Sequence, residues 1–129
     1  VQVEGTAGDA DAIAIARTIC GSSLVTTAIH GRDPNWGRIV AAAGRAGVDF
    51  DPDAVALWLG GFQLMAGGQP LPFDRAAASA YLKERESGTY LQDDTVFIRL
   101  VVGAGPGHGR AWGCDLSDQY IRINADYTT

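Results

Sequence analysis

Gly31-Arg32-Asp33-Pro34-Asn35-Trp36-Gly37-Arg38-Ile39 is the densest run of structural punctuation in the chain. Asp33 is placed to cap a helix, and Pro34 to occupy its first position, where a missing N–H costs nothing. Trp36, Ile39, Val40 and Ala43 then recur at helical spacing and predict a helix ending near Gly44 or Gly47. Within the run, Trp36 is expected to anchor that helix, Gly37 to permit close packing and Arg38 to pair with an acid. On residue chemistry alone this is a scaffold role.

Upstream, Val1-Gln2-Val3-Glu4 reads as a strand already under way, and a chain that starts on Val rather than Met is expected to be a processed or excised piece. Ala12, Ile15, Ala16, Ile19 and Cys20 follow Gly8-Asp9 at three- and four-residue spacing and stop at Gly21, which predicts an amphipathic helix with acidic residues in its first turn. Leu24 to Ile29 is apolar and β-branched, which predicts a strand of about six residues. Downstream, Ala54 to Leu59 and Phe62 to Met65 flank Gly60-Gly61 as a hairpin. Asp74 caps a third helix whose buried face includes Ala78, Tyr81 and Leu82, with Phe73 stapling its entry. Val96, Ile98, Leu100 and Val102 alternate along a late strand, and the turn Gly103 to Gly109 joins it, as a hairpin, to Arg110 through Cys114. Gln119 to Asn124 is expected to be a last strand, fixed by Ile121 and Ile123. This order of elements predicts a single α+β domain over residues 1–129, with helices packed on one face of a small mixed sheet in a two-layer, roll-like arrangement.

With 129 residues, 47% of them hydrophobic, the chain is long enough to bury one core. A net charge of -5 and no basic stripe argue against nucleic acid and anionic membrane surfaces as partners. No apolar run reaches the length of a membrane span, so the expectation is a soluble, cytoplasmic protein. Cys20 and Cys114 lack ligand spacing and read as small buried hydrophobes. His30 and His108 have no ligand-spaced companions either, so neither a metal site nor a cofactor is expected. Pro106 and the following strand set Gly103 to Gly109 apart from a phosphate-binding loop, which needs a helix N-terminus after it. No Ser/His/Asp or Cys/His pattern is present.

Three blocks carry a family resemblance. Gly31 to Ile39 with the Ala/Gly-rich helix behind it is similar to a signature stretch of the bifunctional ornithine acetyltransferases (glutamate N-acetyltransferases) of arginine biosynthesis. Ala16-Arg17-Thr18-Ile19 with Ser23-Leu24-Val25 resembles the family's preceding segment. Trp112-Gly113-Cys114-Asp115-Leu116-Ser117 with Tyr120 to Thr129 resembles its closing segment.

The resemblance implies acetyl transfer from N-acetylornithine to glutamate through an acetyl-threonine, with some members also accepting acetyl-CoA. It implies a precursor that cleaves itself at an Ala-Thr bond, the threonine becoming the first residue of the second (beta) chain. No Ala-Thr dipeptide occurs in these 129 residues. The chain is therefore expected to be the C-terminal, substrate-closing part of that beta chain, without a catalytic residue and inactive alone. Its partners would be the remaining alpha and beta segments, in a hetero-oligomer. Two substrate contacts of the family fall on matching positions, Asn124 and Thr129. The sequence departs from the family pattern at Thr26, commonly Lys, and at His30, often aromatic. The alternative is a non-catalytic small-molecule-binding or assembly module.

Overall fold

The computed structural model describes residues 1–127, so Thr128 and Thr129, and with them the substrate contact expected at Thr129, lie outside the described residues. The chain runs β1 (Gln2–Thr6), α1 (Asp9–Cys20), α2 (Ser23–His30), α3 (Trp36–Gly44), a 3-10 turn (Pro52–Ala54), β2 (Ala56–Leu59), β3 (Phe62–Ala66), β4 (Gln69–Pro70), α4 (Arg75–Glu86), β5 (Ile98–Val101), β6 (Gly107–Arg110) and α5 (Asp118–Ala125). The strands form one open, mixed sheet in the order β4-β3-β2-β5-β1-β6. β1 and β5 run parallel, and every other pairing is antiparallel.

Cross-strand register sorts the side chains into two faces. Val3 and Leu57 both lie opposite Leu100, and Leu59 lies opposite Ile98, so these buried side chains share one face. Gln2, Arg99 and Trp58 align on the other, where Arg99 stacks over Trp58 at 4.7 Å and pairs with Glu4 at 2.7 Å. The apolar face joins one core with Ile15 and Ile19 of α1, Val25 of α2, Ile39 of α3 and Leu82 of α4. Helices therefore cover one side of the sheet, giving the expected α+β, two-layer arrangement; the sheet is not closed.

Three local expectations fail. Leu24 to Ile29 is helical, because burial recurs at Val25 and Ala28 while Leu24 is 61% exposed. The β-branched threonines fit a helix by turning their hydroxyls onto its own backbone: Thr26 Oγ1 donates to the Ser22 carbonyl at 3.1 Å and Thr27 Oγ1 to that of Ser23 at 2.7 Å. Gln119 to Asn124 is helical as well. Ser117 Oγ accepts from the Tyr120 amide at 3.0 Å, and Asp118 in the first turn suits the helix dipole. Ile121 and Ile123 are not buried among the described residues; both are more than half exposed.

The third failure concerns Gly103 to Gly109. The strand begins inside that run, at Gly107, and β1 lies between β5 and β6, so the connection crosses the end of β1 instead of forming a hairpin. Gly5 makes this crossing sterically feasible. Its φ is +90°, and a Cβ there would fall 2.1 Å from the Gly103 carbonyl oxygen. At the Gly60-Gly61 turn the hairpin of β2 and β3 forms as expected, with Gly60 at φ +53° beneath the Tyr81 ring.

Candidate functional site

The Gly31–Arg38 segment is held by contacts the sequence did not anticipate. α2 ends in a Schellman pair: the Arg32 amide donates to Ile29 at 3.0 Å and the Asp33 amide to Ala28 at 2.9 Å. Arg32 takes the left-handed position of that motif, at φ 58°. Pro34 is fully buried, and the helix cap is Asn35, whose Oδ1 accepts from the Arg38 amide at 3.0 Å. Asp33, expected to cap, instead accepts from Asn35 Nδ2 at 2.9 Å and pairs with Arg75 of α4 at 3.0 Å. Two residues of extra reach explain the shift, because Asp33 still completes the end of α2.

Arg32 pairs with Glu86 at 2.6 Å, and Ser79 Oγ donates to the Arg32 carbonyl at 2.8 Å, so the segment is stapled to α4 in three places. Among the described residues Arg38 finds no acid; it donates to the Leu24 carbonyl at 2.9 Å. Gly37 does not serve close packing, since a Cβ there would meet only Asn35 Oδ1 at an ordinary 3.6 Å. The scaffold role stands on these contacts. Asn35→Ala should therefore lower stability by about 0.5–2 kcal/mol and Asp33→Ala by less, since an exposed pair contributes about 0–1 kcal/mol. Urea unfolding of the two variants side by side checks this; the reverse ranking would return the cap to Asp33.

Asn124 sits one residue from the end of α5, exposed, with its Nδ2 donating back to the Tyr120 carbonyl at 2.9 Å. Its Oδ1 has no partner among the hydrogen bonds of the described residues. α5 buries none of its residues, and Tyr120, Ile121, Ile123 and Tyr127 are all largely exposed. Between β6 and α5 the chain has no regular structure. It is tied to α2 by Leu116 N donating to the Thr26 carbonyl at 3.2 Å and by His30 Nδ1 against Asp115 Oδ2 at 2.8 Å. These ties join residues 85 to 90 positions apart, and no local motif announced them.

An open groove of about 480 Å³ lies beside these ties. Ile19, Val25, Ile29, Leu82 and Ile98 give it an apolar floor, and His30 and Asp115 stand at its rim; Asn124 is not part of its lining. Cys20 also lines it, half-buried, and burial pushes its thiol pKa up, the opposite of what a nucleophile needs. Cys114, expected inside, is exposed because the segment carrying it packs on the surface of α2. Among the described residues no group of three or more His, Cys, Asp or Glu side chains could hold a metal ion. No single helix among them is long and apolar enough to cross a membrane.

An open mixed sheet with one helical layer and a projecting terminal helix defines an α+β domain that presents groups outward. A family model described as the ArgJ family matches residues 1–129, and the chain belongs to that family. The Arginine biosynthesis bifunctional protein ArgJ of Prochlorococcus marinus (strain MIT 9313) is 76% identical over 129 residues, covering all of this chain and 30% of the relative. The protein of the same name from Synechococcus sp. is 68% identical, again over the whole chain and 31% of the relative. The crystal structure of Arginine biosynthesis bifunctional protein argJ from Bacillus halodurans matches with a TM-score of 0.88 at 40% identity, covering 98% of this chain and 55% of that one. The chain thus spans about 30% of the length of the curated relatives it matches.

Proposed function

We propose that this chain is the substrate-closing, C-terminal part of an acetyltransferase that moves acetyl from N-acetylornithine to glutamate in the cytoplasm, and that the nucleophilic threonine lies on another segment. In the reaction that the family resemblance implies, the threonine hydroxyl attacks the acetyl carbonyl, its own free amine taking the proton. Ornithine leaves, and the glutamate amine then takes the acetyl group from the acetyl-threonine. Asn124, with Thr129, contributes a polar grip on the amino-acid end of the substrate, where an amide can accept from an amine or donate to a carboxylate.

The last helix carries this proposal. Asp118–Ala125 bears Asn124 yet buries none of its residues, so its apolar side chains have their packing partner off this chain. The alpha segment and the rest of the beta segment fill that role in a hetero-oligomer. The same residues cover 30% of a curated relative but 55% of the chain in the Bacillus halodurans crystal, as expected if the mature protein carries its polypeptide as two chains. Acetyl-CoA as an alternative donor belongs to the same proposal.

Quenching the complete protein during turnover with N-acetylornithine labelled in its acetyl group tests it. Peptide mapping should place the label on a threonine outside residues 1–129, at the start of the chain that carries these residues. Label on any residue of 1–129, or mapping of these residues ahead of the cleavage point, would overturn the proposal.

A further inference from the structure

The direction in which α5 leaves the domain is set before α5 begins, since the helix itself buries none of its residues. Three contacts set it. Gly113 passes Cys20 so closely that a Cβ there would lie 3.2 Å from Cys20 Cβ. The Leu116 amide is held by the Thr26 carbonyl at 3.2 Å. Asp115 is held by His30 at 2.8 Å. Only the last is a side-chain pair, and it draws on a position that is fixed. His30 is the final residue of α2, locked by the backbone closure at Gly31, Arg32 and Asp33.

We propose that His30 is a positioning residue: by holding Asp115 it fixes the path along which the closing segment carries Asn124 to the substrate. This rests on the clamp role proposed for Asn124. His30 touches no reacting atom. Its effect is to restrict Trp112 to Ser117, a stretch without backbone ladder partners, to one course across α2. Without the pair, Leu116 alone holds the middle of that stretch, and the helix beyond it samples a wider arc. Binding then costs the entropy of bringing Asn124 back.

The test is a set of variants of the complete enzyme: His30→Phe, which keeps a ring of similar bulk, His30→Gln, which keeps a donor, Asp115→Ala, and the double variant His30→Phe/Asp115→Ala. His30→Phe and Asp115→Ala should each raise the KM for N-acetylornithine or glutamate about three- to fivefold, the upper end for a partly exposed polar pair, with kcat little changed. His30→Gln should recover most of the loss, and the double variant should be no worse than either single one. Amide exchange over residues 113–117 should quicken in step while the melting temperature holds.

Additive losses, an unchanged exchange rate, or a KM that ignores His30 while responding to Asn124→Ala would each overturn the proposal. If Asn124→Ala leaves KM unchanged, the clamp role fails. Exchange in the His30 variants then decides whether His30 still fixes the segment, and unchanged exchange would sink that as well.

Discussion

Leu100→Ala should destabilise the domain by about 2–5 kcal/mol, a large part of the 5–15 kcal/mol typical of a whole domain. Leu100 is fully buried at the centre of the sheet, in β5, where β1 pairs with it on one side and β2 on the other. Val3 and Leu57 lie directly opposite it on those strands, and the helical layer closes the face above. Neither neighbouring strand can move in to fill a void without breaking its ladder, so the transfer loss and the cavity add. Leu24→Ala is the control, because that side chain is already 61% exposed and should change stability by less than about 0.5 kcal/mol. Native-state amide exchange of the β1 and β5 ladder reads the difference directly. A loss below about 1 kcal/mol at Leu100 would mean that the sheet is not the stable centre of the domain.

The second large effect concerns substrate. Asn124→Ala in the complete enzyme should raise KM roughly ten- to a hundredfold, because a hydrogen bond to a charged group contributes about 1.5–3 kcal/mol. Stability should barely change, since Asn124 is exposed and α5 buries nothing in this domain. The helix gives the prediction a different footing from the strand expected for this segment. In a strand Asn124 would be aimed by the alternation of Ile121 and Ile123. In the helix it is steadied by its own bond to the Tyr120 carbonyl, which leaves Oδ1 without a partner among the described residues. A normal KM would remove Asn124 from the site, and a collapsed melting temperature would make it structural.

What the sequence revealed depended on whether the signal was local. Ile15 and Ile19 at helical spacing and the two glycines at 60 and 61 each report their own environment and hold in the structure, and of the strand expected along Val96, Ile98, Leu100 and Val102 the part from Ile98 to Val101 forms. Leu24 to Ile29 failed because β-branched residues favour strands only when nothing else intervenes. The spacing of Val25, Ala28 and Ile29 and the glycine that follows were the helical signals, and they outweighed propensity. Gln119 to Asn124 failed for a related reason. Alternating apolar residues imply a strand when one face is buried, but this segment is exposed on all sides within the chain, so Ser117-Asp118 at the helix start was the better guide. The crossing at Gly103 was invisible because its cause is Gly5, almost a hundred residues away. A separation of 85 residues likewise hid the tie between His30 and Asp115. Asn124 is proposed for the site through the family resemblance alone, since nothing in its neighbours distinguishes it from any exposed asparagine.

The central claim is that these 129 residues complete a site whose nucleophile they do not carry. The most direct measurement is acetyl transfer from N-acetylornithine to glutamate by three preparations: the segment alone, the remaining polypeptide alone, and the two co-expressed. The account predicts turnover only for the combination. Turnover by the segment alone would place a nucleophile within residues 1–129, and full turnover by the remainder alone would show that this domain does not close over substrate; either result contradicts the account.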